Sequence, residues 1–165
     1  MPAEHTSTDT DDDRIPMTTS ERAAWIALVL TPATVIWYFV VVLPQLAHTP
    51  ASDIDWQVPM LWSFGVNFFG TIIATILVTI GAGIVAEARK QVFDTGSDVR
   101  DTQIDRAGGR VALAIASGGL LAVLILAMLE LDVFWIGNAA FLIGAVGAFA
   151  GSIVQVRAYR GYFHG

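Results

Sequence analysis

Apolar and polar positions follow each other along this chain in long blocks, not in the short period of a soluble helix or strand. Four blocks contain no Asp, Glu, Lys, Arg or His, and they cover residues 23–47, 56–86, 111–129 and 133–156. A helix rises about 1.5 Å per residue, so each block is about long enough to cross a hydrocarbon core of about 30 Å. The blocks are too long and too continuously apolar for barrel strands. The pattern therefore predicts four membrane-spanning helices.

The polar segments between these blocks predict the order of the fold. We expect a disordered acidic tail over residues 1–20 and one transmembrane domain over residues 21–165. Its spans are expected at about 23–47, 59–88, 110–130 and 133–157, with a polar loop at about 89–109. Only Glu130, Leu131 and Asp132 separate the last two spans, and so short a turn makes them antiparallel neighbours. The sequence predicts an all-α integral membrane four-helix bundle made of two transmembrane hairpins.

The first span carries two local signals. Thr18 stands three residues before Glu21, which is the spacing of a capping box and predicts the start of the helix. Pro32 lies inside the helix and removes a backbone N–H. We expect a kink there, with the Thr31 hydroxyl bonding a carbonyl of the preceding turn.

The distribution of basic residues predicts the orientation. All nine Lys and Arg residues fall on one side of the four spans. The positive-inside rule then places both termini and the central loop in the cytoplasm, and the chain becomes a multi-pass protein of the inner, or cytoplasmic, membrane. Aromatic side chains are expected at the two interfaces: Trp56, Trp62, Phe134 and Trp135 on the outer side, and Trp25, Phe93, Tyr159 and Tyr162 on the inner side.

The composition agrees with a membrane protein and narrows the chemistry. Apolar residues make up 55% of the chain and charged residues 15%, there is no Cys, and the formal net charge is −6. The charge argues against nucleic acid as a ligand, and the missing Cys removes disulfides and cysteine-ligated clusters. No ionisable residue lies in the middle of a span, where a proton-coupled carrier would want one. We predict no enzymatic activity, no cofactor and no metal site, with the lipid bilayer as a partner.

Two patterns of uncharged residues lie within the spans. Thr71, Thr75 and Thr79 recur every four residues and share one face of the second helix. That face either bonds the backbone and neighbouring helices or lines a permeation path. Gly137, Gly144 and Gly151 belong to a stripe of small residues on the fourth helix, which permits close packing. The stripe allows close packing either within the bundle or at an interface between two copies of the chain.

The central loop is the main candidate for a functional surface. Its candidate docking residues are Asp98, Arg100, Asp101, Asp105 and Arg106. Asp98, Asp101 and Asp105 predict an acidic stripe on a new helix, with Ile104 and Ala107 on the opposite side. Such a stripe is solvated, pairs with arginines, or binds a basic partner or a divalent cation. The basic residues also suit anionic lipid headgroups. Glu87 and Arg110 are expected to pair as a clamp between the hairpins.

The segment from Asp98 to Arg106, followed by an apolar hairpin with residues 134–139 at its turn, resembles a family of small prokaryotic integral membrane proteins of unknown function. Their loop has an Asp-Glu-Arg-Asp pattern before the last two helices, and Val99 replaces the second acid here. The resemblance implies a four-span fold with an Asp-x-Arg-Asp loop as its signature, and no activity.

Function is expected at this loop because the spans offer no ionisable group. The leading interpretation is a non-enzymatic interaction or regulatory component that docks a partner through the loop. That partner would be another copy of the chain, a membrane complex or a soluble regulator. The alternative is a small oligomeric transporter or channel subunit that uses the Thr71, Thr75 and Thr79 face.

Overall fold

The computed structural model describes residues 17–88 and 99–161, and within these ranges it contains four α-helices and no strand. The helices are α1 (Thr19–Val42), α2 (Gln57–Ala88), α3 (Val99–Met128) and α4 (Val133–Tyr159), and two short 3-10 helices, Leu43–Ala47 and Ala51–Asp53, follow α1. All four α-helices are long and apolar enough to span a membrane. The prediction of an all-α, four-span membrane fold is confirmed.

Local sequence signals set several helix boundaries. The Thr18 side chain accepts a hydrogen bond from the Glu21 backbone N–H at 3.2 Å, so α1 begins at the predicted cap. Asp132 caps α4 in the same way by accepting from the Phe134 N–H at 2.8 Å. The turn between α3 and α4 places Glu130 in the left-handed region, at a φ of 53°. The helix α3 begins at Val99, so the described part of the predicted 89–109 loop is helical.

The helices pack side by side in the order α2, α1, α4, α3. The helix α1 contacts both α2 and α4, and the most extensive contact is between α3 and α4. The two flanking helices, α2 and α3, bury no residue of their most apolar stretch. In a membrane this exposure costs little, because lipid tails are as apolar as Leu side chains.

The bundle has two chemically different ends. We call one the aromatic end: it holds the turn between α3 and α4 and the connection between α1 and α2. We call the other the basic end: α1 and α3 begin there, and α2 and α4 end there. The described arginines all belong to the basic end: Arg22, Arg100, Arg106, Arg110, Arg157 and Arg160.

The buried core lies at the aromatic end. Its fully buried members include Tyr38, Val42 and Phe134, and the rings of Tyr38 and Phe141 meet edge to face at a centroid distance of 4.8 Å. Phe134 is only 1% exposed, so its ring lies in the core of the bundle; its position at a membrane interface stays a prediction. The physical reason is that the connection between α1 and α2 folds back over the start of α4 and brings Trp56 edge-on to the Phe134 ring.

Glycines bring α3 and α4 together at the opposite end. A Cβ on Gly151 would lie 2.9 Å from the carbonyl oxygen of Gly108, and a Cβ on Gly108 would lie 2.8 Å from the carbonyl oxygen of Gly151. Any side chain at either position would therefore push the two backbones apart.

Candidate functional site

The structure places the candidate docking residues on different sides of α3. Asp101 is 3% exposed, whereas Arg100, Asp105 and Arg106 are exposed. Asp98 lies outside the described residues. The docking candidates therefore do not form one surface, because α3 turns Asp101 toward the bundle.

Asp101 is held at the meeting point of α1, α3 and α4. The Thr18 hydroxyl donates a hydrogen bond to Asp101 Oδ1 at 3.4 Å, which joins the cap of α1 to the first turn of α3. The other carboxylate oxygen, Oδ2, is buried without a hydrogen-bond partner among residues 17–88 and 99–161. The Tyr159 hydroxyl is buried beside Asp101 and Thr18 without reaching hydrogen-bond geometry with either. Arg22, which is 7% exposed, belongs to the same end of α1.

Asp105 also makes an internal contact, one turn further along α3. The Gln155 side-chain amide of α4 donates to Asp105 Oδ1 at 3.3 Å. Both acids of the described loop region are thus engaged by neighbouring helices.

The expectation of an acidic stripe opposite Ile104 is wrong. Asp101, Ile104 and Gly108 are the buried residues of α3 and share its inner face. Three residues advance a helix by about 300°, so positions 101 and 104 lie only about 60° apart and not on opposite sides.

The outward side of α3 is basic. Val99 is 72% exposed, and Gln103, Arg106 and Arg110 follow it at the helical spacing of one face, all exposed. Arg100 is exposed beside them. We call Arg100, Gln103, Arg106 and Arg110 the basic face.

The structure does not bring together the predicted clamp residues. Glu87 and Arg110 are both exposed, and α2 packs on α1, on the opposite flank of the bundle from α3. No described contact between the hairpins depends on this pair. The described contacts between the hairpins lie mainly between α1 and α4, with fewer between α1 and α3.

The three glycines named for packing differ in their surroundings. A Cβ on Gly137 would lie 2.5 Å from the Trp56 ring, and Gly151 contacts Gly108 as described above. A Cβ on Gly144 would meet nothing within 4 Å. Gly137 and Gly151 therefore lie at contacts inside the bundle, and Gly144 lines an open space.

A second polar group lies inside the predicted membrane region, where α1 and α2 cross. The Asn67 side-chain amide donates to the hydroxyl oxygens of Thr31 and Thr34, at 3.2 and 3.1 Å. The Thr34 hydroxyl lies 3.0 Å from the carbonyl oxygens of Leu30 and Thr31. The hydroxyl that bonds the backbone beside Pro32 is therefore that of Thr34, and Thr31 is used to bind α2.

Most hydroxyls of the threonine face of α2 donate to backbone carbonyls of the same helix. The Thr71 hydroxyl donates to the Asn67 carbonyl at 2.6 Å, and the Thr75 hydroxyl donates to the Thr71 carbonyl at 2.7 Å. The Thr79 hydroxyl is buried without a hydrogen-bond partner in the described part of the chain. This face was expected either to make hydrogen bonds within the protein or to line a permeation path. At Thr71 and Thr75 the structure has hydrogen bonds to the carbonyls of the preceding turn.

Sequence reasoning missed the polar pairs that join the helices. Tyr38 is fully buried, and its hydroxyl donates to Asn138 Oδ1 at 2.7 Å. Asn67 and Asn138 are the two asparagines of the chain, and both bind α1. An amide in a span has to find a partner because lipid offers none, and this signal was available in the sequence.

Comparison with protein-family models, with curated proteins and with solved structures gave no match for this chain.

Proposed function

We propose that this chain is a non-enzymatic component of the cytoplasmic membrane that docks an acidic protein partner through the basic face of α3. In this proposal both termini and the basic end lie in the cytoplasm, as the positive-inside rule expects. The partner is another copy of the chain, a membrane complex or a soluble regulator. Membership of the four-span family that the loop motif resembles is part of the same proposal.

The observation that carries the proposal is the separation of charges around α3. Asp101 is buried and Asp105 accepts a hydrogen bond from α4, while Arg100, Arg106 and Arg110 are exposed. Burial of Asp101 thereby removes one acid from the surface of this segment, which keeps three exposed arginines together with the exposed Asp105. Arginine suits docking because its planar guanidinium binds carboxylates through two parallel hydrogen bonds.

The packing of α3 supports a surface that is ordered before the partner binds. Thr18 bonds Asp101, Gln155 bonds Asp105, and Gly108 packs against Gly151. These contacts hold the first turns of α3 against both α1 and α4. Docking on a helix that is already fixed avoids part of the entropic cost of ordering an interface.

Site-specific crosslinking tests the docking surface. A photoreactive amino acid at Gln103, between the arginines of the basic face, is expected to capture a specific protein in native membranes. The same group at Ile104, which is 7% exposed, is the matched control and is expected to capture none. The double change Arg100→Ala and Arg106→Ala is expected to abolish capture from position 103, while Arg157→Ala leaves it intact. Capture that is insensitive to both arginines would refute the proposal.

The proposed orientation is tested separately by thiol labelling. The chain has no Cys, so Gln103→Cys and His48→Cys each introduce a single thiol at an exposed position. A membrane-impermeant maleimide is expected to label position 48 in intact cells and position 103 only after the membrane is opened. The reverse result would place the basic end outside the cytoplasm.

The alternative function, a small oligomeric transporter or channel subunit, would use the face of α2 that carries Thr71, Thr75 and Thr79. The hydrogen bonds of this face give that function less support. The Thr71 and Thr75 hydroxyls donate to carbonyls of their own helix, so their hydrogen atoms are not available to a permeating solute. Solute flux in liposomes that is lost on Thr71→Val and Thr75→Val, together with no capture from position 103, would decide for transport.

A further inference from the structure

We propose that the cavity between α1, α2 and α4 is a binding site for a small uncharged molecule that both donates and accepts hydrogen bonds. Acetamide is a representative of this class. The site is remote from the basic face, and the proposal does not depend on docking.

The cavity has one polar wall and one apolar wall. Its volume is about 90 Å³, and Thr31, Thr34, Ser63 and Asn67 line one side. Thr31 is 4% exposed, Thr34 is 7% exposed and Ser63 is 2% exposed. Across from them, α4 contributes Phe141 and small residues that include Gly144. Gly144, which has nothing within 4 Å of its Cβ position, helps to keep this space open.

One hydrogen-bond donor and one acceptor on the polar wall remain without a partner among the described residues. The two hydrogens of the Asn67 amide go to Thr31 and Thr34, the Thr34 hydroxyl faces the backbone, and the Ser63 hydroxyl donates to the Thr34 carbonyl at 3.4 Å. Within the described ranges, the Asn67 Oδ1 and the Thr31 hydroxyl hydrogen have no further partner.

These remaining groups define the class of ligand. The ligand has to donate to the half-buried Asn67 and accept from the buried Thr31, because a polar group without a partner is costly where lipid offers none. It is uncharged, because no residue of the lining is ionisable and a charge without a counter-charge would pay a large desolvation penalty. A water molecule occupies about 30 Å³ in the liquid, so the cavity has room for about three waters or for one molecule of about four non-hydrogen atoms.

Binding is measured by saturation-transfer NMR on the full chain in deuterated detergent, with acetamide as the probe. A ligand of four non-hydrogen atoms binds no more tightly than about the micromolar to millimolar range, and this method detects such weak binding. Acetamide is expected to receive saturation through its methyl protons. Acetone has the same shape but no N–H donor, and it is expected to bind several-fold more weakly.

Two variants and one control locate the site. Gly144→Leu fills the cavity without an initial backbone clash, and Asn67→Leu removes the amide. Asn67→Leu is expected to weaken acetamide binding by about tenfold or more, the effect of losing about one well-made hydrogen bond. Gly144→Leu is expected to weaken it by at least as much, because the leucine side chain occupies the space that acetamide needs. Gly81→Leu is the control, because Gly81 also has nothing within 4 Å of its Cβ position and belongs to α2 away from the cavity.

Folding of each variant is checked by circular dichroism and size-exclusion chromatography, and Gly144→Leu decides the case if Asn67→Leu does not fold. No transfer above a protein-free micelle would overturn the proposal. Equal transfer in the wild type, Gly144→Leu and Gly81→Leu would do the same. Equal binding of acetone and acetamide would overturn the hydrogen-bonding account.

Discussion

The two ends of the bundle join their helices with opposite kinds of chemistry. At the aromatic end, the Tyr38 hydroxyl donates to Asn138 at 2.7 Å and the Asn138 amide donates to the Phe134 carbonyl at 2.8 Å, among packed rings. At the basic end, Asp101 is equally buried but has one oxygen without a partner in the described part of the chain and a 3.4 Å bond to Thr18 on the other. The first group is a pair of amide and hydroxyl side chains whose hydrogen bonds are made, and the second is a carboxyl group whose hydrogen bonds are only partly made.

This difference suggests different roles for the two polar groups: the pair at the aromatic end contributes to stability, and Asp101 at the basic end shapes the surface proposed for recognition. A satisfied neutral pair in a dry core holds two helices in one arrangement, whereas a buried carboxylate with an unfilled acceptor costs free energy. We infer that the hydrogen bond between Tyr38 and Asn138 stabilises the fold at the aromatic end. At the basic end the burial of Asp101 is less favourable, and in the proposed function it leaves the exposed Arg100, Arg106 and Arg110 as the majority of the charges on the surface of α3.

The largest effect is expected where helix backbones touch. Gly151→Ala puts a Cβ 2.9 Å from the Gly108 carbonyl, so α3 and α4 have to separate, and we expect a loss of about 1–3 kcal/mol in the free energy of unfolding. Gly144→Ala, with nothing within 4 Å, is the control and is expected to change it by less than about 0.5 kcal/mol. Unfolding free energies measured by steric trapping in bicelles check both values.

Gly137→Ala extends this comparison to the aromatic end. Its Cβ would meet the Trp56 ring and not a backbone carbonyl, and a side chain gives way more easily than a helix. The loss is expected to lie between those of Gly151→Ala and Gly144→Ala. A larger loss at Gly137 than at Gly151 would show that the aromatic end is the less tolerant one.

An intermediate effect is expected from removing a buried hydroxyl. Tyr38→Phe breaks the bond to Asn138 and is expected to cost about 0.6–1.7 kcal/mol, the range of hydrogen bonds between membrane helices. Tyr159→Phe removes a hydroxyl that has no hydrogen bond of good geometry, so it is expected to be within about 0.5 kcal/mol of the wild type. Equal losses from the two changes would contradict the contrast between the ends. The single change Asn138→Leu and the double change Tyr38→Phe with Asn138→Leu complete a cycle that isolates the energy of the pair.

The smallest effect is expected at the surface of the basic end. The Arg160 guanidinium lies 4.7 Å from the centroid of the Trp25 ring, and Arg160→Gln is expected to cost about 0.5–1 kcal/mol as an exposed cation–π contact. Arg157→Gln, at an exposed position of the same helix end, is the matched control and is expected to have no measurable effect. A loss from Arg157→Gln as large as that from Arg160→Gln would mean that net charge, not the ring contact, matters.

Much of the fold was predictable because membranes impose simple length and capping rules. The length of the uncharged blocks predicted four helices, and Thr18 predicted the start of α1. The short turn at Glu130 to Asp132 predicted that α3 and α4 pack together. The candidate site was less predictable: the Asp and Arg motif identified the right segment of α3, but not that Asp101 turns inward and the arginines outward.

The sequence by itself determined the number, length and apolar character of the helices, since hydropathy over about 20 residues governs membrane insertion. Only the tertiary structure decided the order α2, α1, α4, α3, the burial of Phe134 and Asp101, and the cavity beside Asn67. The physical reason is that a membrane helix is apolar on all sides, so hydrophobicity does not mark its inner face. That face is chosen by small residues and by the few polar groups that have to find partners.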